Sequence, residues 1–241
     1  MAEEWLFCPV KECEMEIREA MEARHSVRAY LDKPIGLPLL QKLQEAAEEC
    51  NRESGLKIRL VCNDPQAFSS FLAHYGKFSC VKNYFALIGE KSDDLSEKAG
   101  YYGERLVLYA QTLGLNTCWV AVSFAKGKTE KRLRLAQNEK LVCVIALGYG
   151  ETQGVPHKSK TIKQVCRAKD FNALPEWFQS GVRAALLAPT AVNQQKFLFE
   201  LVGEHKVRAR QRGGFCRGLD LGIVKYHFEQ GAGKENFQWA D

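Results

Sequence analysis

Two arginines, an imidazole and a hydroxyl fall within five residues at Arg24-His25-Ser26-Val27-Arg28. Forked guanidinium donors match the oxygens of a phosphate dianion, so this stretch is a candidate anion site. The competing reading is a basic helix exit, with arginine beside the helix's own last carbonyls, and spacing alone favours it. Lys158 and Lys160 lie in a polar, basic loop, where they could add positive charge to such a site or simply be solvated. Lys126-Gly127-Lys128-Thr129 resembles the end of a phosphate-binding loop, but Val122 stands where that loop needs its first glycine, which excludes it. No GxGxxG, HExxH or GxSxG occurs, and His25, His74, His157, His205 and His227 have no metal-ligand spacing. Hydrolase and metalloenzyme chemistry therefore lack support, and no metal is expected. Lys206, Arg208, Arg210 and Arg212, followed by Gly213 and Gly214, have the composition of a nucleic-acid arm. Their alternation is that of a charged edge strand, so no nucleic-acid partner is expected.

The chain that must position these groups has 241 residues, enough for one large domain or two small ones. With 46% hydrophobic and 26% charged residues it is a globular composition, and a net charge of +5 spread along the chain suits a phosphorylated small ligand. The N-terminus is acidic and lacks a secretory pattern, and no apolar run reaches membrane-spanning length, so no membrane is expected. Nine scattered cysteines without paired spacing point to a reduced, cytoplasmic location.

Apolar spacing predicts helices over 14–23, 37–49, 98–113, 126–135 and 175–187, a last amphipathic helix over 219–228, and a short one over 65–75. Strands are predicted over 57–62, 84–89, 117–122, 141–147 and 197–202. Residues 37–64 and 174–204 share an order: Leu-Pro, helix, connection, then a strand ending in an acidic residue. That order suggests a degenerate duplication, with a first half over 1–165 and a second over 166–241.

Three segments together resemble the FMN-dependent nitroreductase family over 14–228: Arg24-His25-Ser26-Val27-Arg28-Ala29-Tyr30; Gly103-Glu104-Arg105 through Leu113-Gly114-Leu115-Asn116-Thr117-Cys118-Trp119-Val120-Ala121; and Ala188-Pro189-Thr190-Ala191-Val192-Asn193-Gln194-Gln195. In ordinary members the Pro-Ser-x-x-Asn segment closely follows Arg-x-Ser-x-Arg, and each subunit of a homodimer lends its copy to the partner's flavin site. Here it lies in the second half, as in a variant subfamily in which one chain mimics the dimer. The resemblance implies an α+β nitroreductase-like fold, with a mixed or antiparallel sheet flanked by helices, internally duplicated as a pseudo-dimer. It also implies one FMN per chain and a monomer in solution. By the same resemblance Arg24, Ser26 and Arg28 would hold the FMN phosphate and ribityl end, with His25 alongside and Lys158 and Lys160 approaching the phosphate. Pro189, Thr190, Asn193 and Gln195 would reach the flavin from the second half. Trp119, Val120 and Ala121 would lie against the isoalloxazine, one backbone N–H directed at N5. Two departures stand out: Thr190 and Ala191 replace the family's serine pair, losing one hydroxyl, and Lys196-Phe197 replaces the usual Pro-Trp.

The implied activity is that of an NAD(P)H-dependent reductase with ping-pong hydride transfer through N5 to a small-molecule electron acceptor, a nitroaromatic, quinone or similar compound. The flavin carries such chemistry, so no catalytic side chain is required. The alternative is an FMN-binding sensor or carrier without turnover, because the motifs mark a flavin site and not an electron donor.

Overall fold

The computed structural model of the chain describes residues 15–69 and 76–240. The helix expected over 14–23 forms as α1 (Ile17–Ala23), ending at Arg24 with extended backbone; Glu14 lies outside the described residues. Of the helix expected over 65–75, Pro65–Phe68 is a single 3-10 turn, and 70–75 lie outside the described residues. α2 (Leu37–Ser54) has Pro38 in its first turn and stops at Gly55, whose φ of 73° gives the left-handed cap that glycine adopts without strain. Then follow β1 (Arg59–Val61), β2 (Asn83–Glu90), α3 (Leu95–Thr112), β3 (Asn116–Val120), α4 (Lys126–Leu133) and β4 (Glu139–Gly148). α5 (Ile162–Val165) closes the first half, and the second contains α6 (Glu176–Ala185), β5 (Phe197–Gly203), β6 (Lys206–Gln211), α7 (Arg217–Ala232) and β7 (Gln238–Trp239).

The larger sheet has the order β1-β2-β4-β3 and is antiparallel throughout, with Tyr84 opposite Ala146 and Trp119 opposite Ile145. β2 and β4 are buried on both faces, which is why they read as unbroken apolar runs. The smaller sheet is mixed: β5 pairs antiparallel with β6, and β6 parallel with β7. β7 covers only Lys206 and Val207, so the rest of β6 remains the charged edge that its alternation predicts. The architecture is the α+β arrangement of helices on antiparallel sheet that the resemblance implies.

The edge of β3 is covered by the segment after α1. Ser26 bridges Thr117, and the Val27 amide donates to the Thr117 carbonyl at 3.0 Å. That bridge carries Ser26 and Arg28 to the end of the sheet. One apolar core joins Leu43, Phe85, Leu106 and Ile145 to Phe178, Phe199, Val224 and Phe228, so packing runs without a gap across the 165/166 boundary, where Val165 and Cys166 are themselves buried.

The last helix differs from the amphipathic expectation. α7 is buried on nearly every side, because it lies between α3 and α6, and even Asp220, His227 and Glu229 are enclosed. Its crossing with α3 depends on missing side chains: a Cβ on Gly100 would stand 2.0 Å from the Leu219 carbonyl, and one on Gly222 2.0 Å from that of Glu97. Only glycine lets two helix backbones approach so closely.

Candidate functional site

Where β3 ends, Trp119, Val120 and Ala121 form one wall of a 330 Å³ cleft. Ser26 and Arg28 stand at that wall, and Pro189 and Thr190 face it from the second half together with the start of α7. The fold thus gathers these seven expected residues at one place. Around the mouth lie three large apolar side chains left in solvent: Val122 at 52%, Val192 at 88% and Phe215 at 53% exposure. Arg28 is exposed and forms no ion pair among the described residues.

Arg24, His25, Lys158, Lys160, Asn193 and Gln195 are not among the residues lining the cleft. Arg24 belongs to a buried cluster beneath it. Arg24 is 3% exposed, and its Nε lies 3.9 Å from Glu104 Oε1 and lacks a hydrogen-bond partner among the described residues. Burial lowers its pKa, and the Glu104 charge opposes that effect. Glu104 also accepts from Trp119 Nε1 at 2.7 Å and meets His227 Nε2 at 2.8 Å, while His227 Nδ1 faces the Ala184 carbonyl at 3.2 Å. The indole reaches Glu104 because residue 103 is glycine: a Cβ there would stand 2.4 Å from Trp119 Cη2. His25 is half-buried, and burial and then Arg24 lower its pKa.

The remaining four hold the second-half wall in shape. Val192, Asn193 and Gln195 have φ of 46°, 54° and 44°, a conformation that costs a β-branched residue most. A clasp of hydrogen bonds maintains it. Asn193 Nδ2 and Gln195 Nε2 both donate to the Lys158 carbonyl, at 3.0 and 2.8 Å, and Gln195 Nε2 also donates to Asn193 Oδ1 at 2.7 Å. The Lys160 ammonium donates to the carbonyls of Gln194 and Gln195 at 2.8 and 2.9 Å, and the Gln195 amide donates to Thr190 Oγ1 at 3.0 Å. The loop containing Lys158 and Lys160 is therefore bound to the 189–195 segment.

Sequence reasoning missed Asp220. This residue, 2% exposed, lines the cleft, and its carboxylate accepts from the Ala191 amide at 2.9 Å and from Gln194 Nε2 at 2.8 Å. Burial raises its pKa to about 6, and those two hydrogen bonds hold it below where burial alone would put it. A lone acid inside the apolar run Leu219-Asp220-Leu221-Gly222-Ile223-Val224 was the available signal. Among the described residues no group of histidine, cysteine and carboxylate side chains could hold a metal. No described helix is long and apolar enough to cross a membrane.

Residues 16–232 match the family described as "Putative TM nitroreductase". In fold the chain is similar to a putative nitroreductase from Thermotoga maritima, at 24% identity and a TM-score of 0.65, over 92% of this chain and 86% of that one. It is also similar to a nitroreductase-like protein from Streptococcus mutans (13% identity, TM-score 0.54, 63% of this chain and 96% of that one). A putative NADH dehydrogenase/NAD(P)H nitroreductase from Bacteroides thetaiotaomicron aligns at 20% identity and TM-score 0.50, over 61% of this chain and 95% of that one. No curated protein matches the chain.

Proposed function

This chain belongs to the putative TM nitroreductase family, and from that premise we propose that it is an oxidoreductase that binds one FMN, takes electrons from NAD(P)H and passes them in alternation to a nitroaromatic, quinone or similar small acceptor. One observation carries the reading: a guanidinium without an ion pair among the described residues, a hydroxyl and an exposed apolar rim converge on a single cleft whose walls come from both halves of the chain. The donor set fits the cofactor. Arg28 suits a phosphate, Ser26 and Thr190 suit ribityl hydroxyls, and Val122, Val192 and Phe215 offer apolar surface to a planar ring.

Bound FMN would supply the two-electron chemistry that no side chain here provides. Arg28 would hold the anionic end, the backbone at Trp119–Ala121 would support the ring, and Pro189 and Thr190 would close the opposite wall. Asp220 holds the 189–195 segment through the Ala191 amide and Gln194 Nε2, so it would serve as a positioning residue. The completion of one cleft by two parts of a chain supports a pseudo-dimer that is monomeric in solution, as does the Streptococcus structure, which aligns over 96% of its own length but only 63% of this chain. Light scattering should give the mass of one chain.

The test is the visible absorption spectrum of the protein with FMN, followed by anaerobic addition of NADH or NADPH. Flavin bands that shift on binding and then bleach are expected. Bands that shift and never bleach would make the protein a flavin carrier or sensor, and absence of any shift would overturn the cofactor assignment.

A further inference from the structure

A second cavity, of 640 Å³, opens beside α4 and adjoins the cleft, since Ala121 and Val122 line both. Lys126, Lys128 and Lys131 are among the residues that line it. None of them forms an ion pair among the described residues, whereas Arg132 on the same helix is paired to Asp64 at 2.7 Å. Lys128 and Lys131 are three apart and so share a helix face, and three like charges around one cavity repel unless an anion joins them. Thr129 is buried, its hydroxyl donating to the Ala125 carbonyl at 3.1 Å, so this lysine-rich stretch does not act as a phosphate-binding loop.

We propose that this cavity receives the phosphate-bearing adenosine end of the electron donor, and that its charge selects the 2′-phosphorylated dinucleotide, NADPH, over NADH. The inference rests on the reading above that a nicotinamide dinucleotide reduces the protein. The pyrophosphate shared by both donors carries two negative charges, and three lysines exceed that demand. The 2′-phosphate adds roughly −1.5 to −2 and meets the excess. The shared wall at Ala121 and Val122 lets one extended molecule place its redox end in the cleft and its phosphates among the lysines.

The experiment titrates the full chain calorimetrically with adenosine 2′,5′-bisphosphate and with AMP, neither of which has a redox group. Both the native protein and the triple variant Lys126→Ala, Lys128→Ala, Lys131→Ala are compared; alanine on a helix surface keeps the helix. The bisphosphate should bind the native chain about tenfold or more tighter than AMP, and the triple variant should lose that difference while FMN affinity is kept. In turnover the variant's preference for NADPH over NADH should fall to near unity. Equal bisphosphate binding by the two proteins, or none by either, would overturn the site. Lysine-dependent binding in a protein whose flavin NADPH never bleaches would keep the phosphate site and overturn the donor reading. NADPH reduction indifferent to the lysines would do the reverse.

Discussion

Arg28 is the residue whose removal separates binding from folding, because its guanidinium is exposed and forms no ion pair among the described residues. Arg28→Ala should weaken FMN binding by about 1.5–3 kcal/mol, the scale of a charge-assisted hydrogen bond, and leave the unfolding midpoint nearly unchanged. Flavin titration beside thermal melting reads both. Arg24 looks equivalent in sequence, yet Glu104, eighty residues on, draws it into the buried cluster under Trp119; no local pattern could distinguish the two. Asp220 gives a pH dependence with a definite sign. Its pKa of about 6 in the fold lies above the roughly 3.9 of an unfolded chain, so the folded state binds this proton more tightly. Its contribution to stability therefore rises as pH falls from above 6 toward 4. Asp220→Asn should flatten this dependence between pH 4 and pH 8, and it leaves either the Ala191 amide or Gln194 Nε2 without its acceptor. Denaturant midpoints at the two pH values measure this, and an equal effect at both would refute it.

At the scale of elements, the 189–195 segment holds an unfavourable backbone in place by hydrogen bonds to another loop. Val192 at φ 46° should cost on the order of 1 kcal/mol or more, and asparagine tolerates that conformation. Val192→Asn should therefore raise stability by about 1 kcal/mol while weakening FMN, since apolar surface at the cleft mouth is lost; denaturation and flavin titration would move in opposite directions. The regular elements were legible in the sequence because their patterning is local. α2 begins at Leu37 and α4 at Lys126 as the spacing predicts, and β5 begins at Phe197. The clasp was not legible, since its acceptor is the Lys158 backbone carbonyl and any residue at 158 offers one. α7 was misread as amphipathic because glycines at 218, 222 and 231 leave no mark in hydrophobic periodicity, yet they let neighbours cover the helix on all sides.

For the whole molecule, the core that joins Phe85 and Leu106 to Phe199 and Phe228 makes the two halves one folding unit. The full chain should unfold in a single transition, coincident by tryptophan emission and far-ultraviolet circular dichroism. Residues 1–165 expressed alone should fail to fold, because α3 would lose the α7 backbone against which Gly100 is fitted; a cooperative melt of that fragment would count against one shared core. The cleft of Ser26, Trp119 and Thr190 has a different consequence, seen at low protein concentration. Both of its walls are covalently joined, so no association step lies between scarce protein and a complete site. A cleft shared by two subunits empties as the dimer parts on dilution, whereas this one should hold its ligand with the same dissociation constant at nanomolar and at micromolar chain.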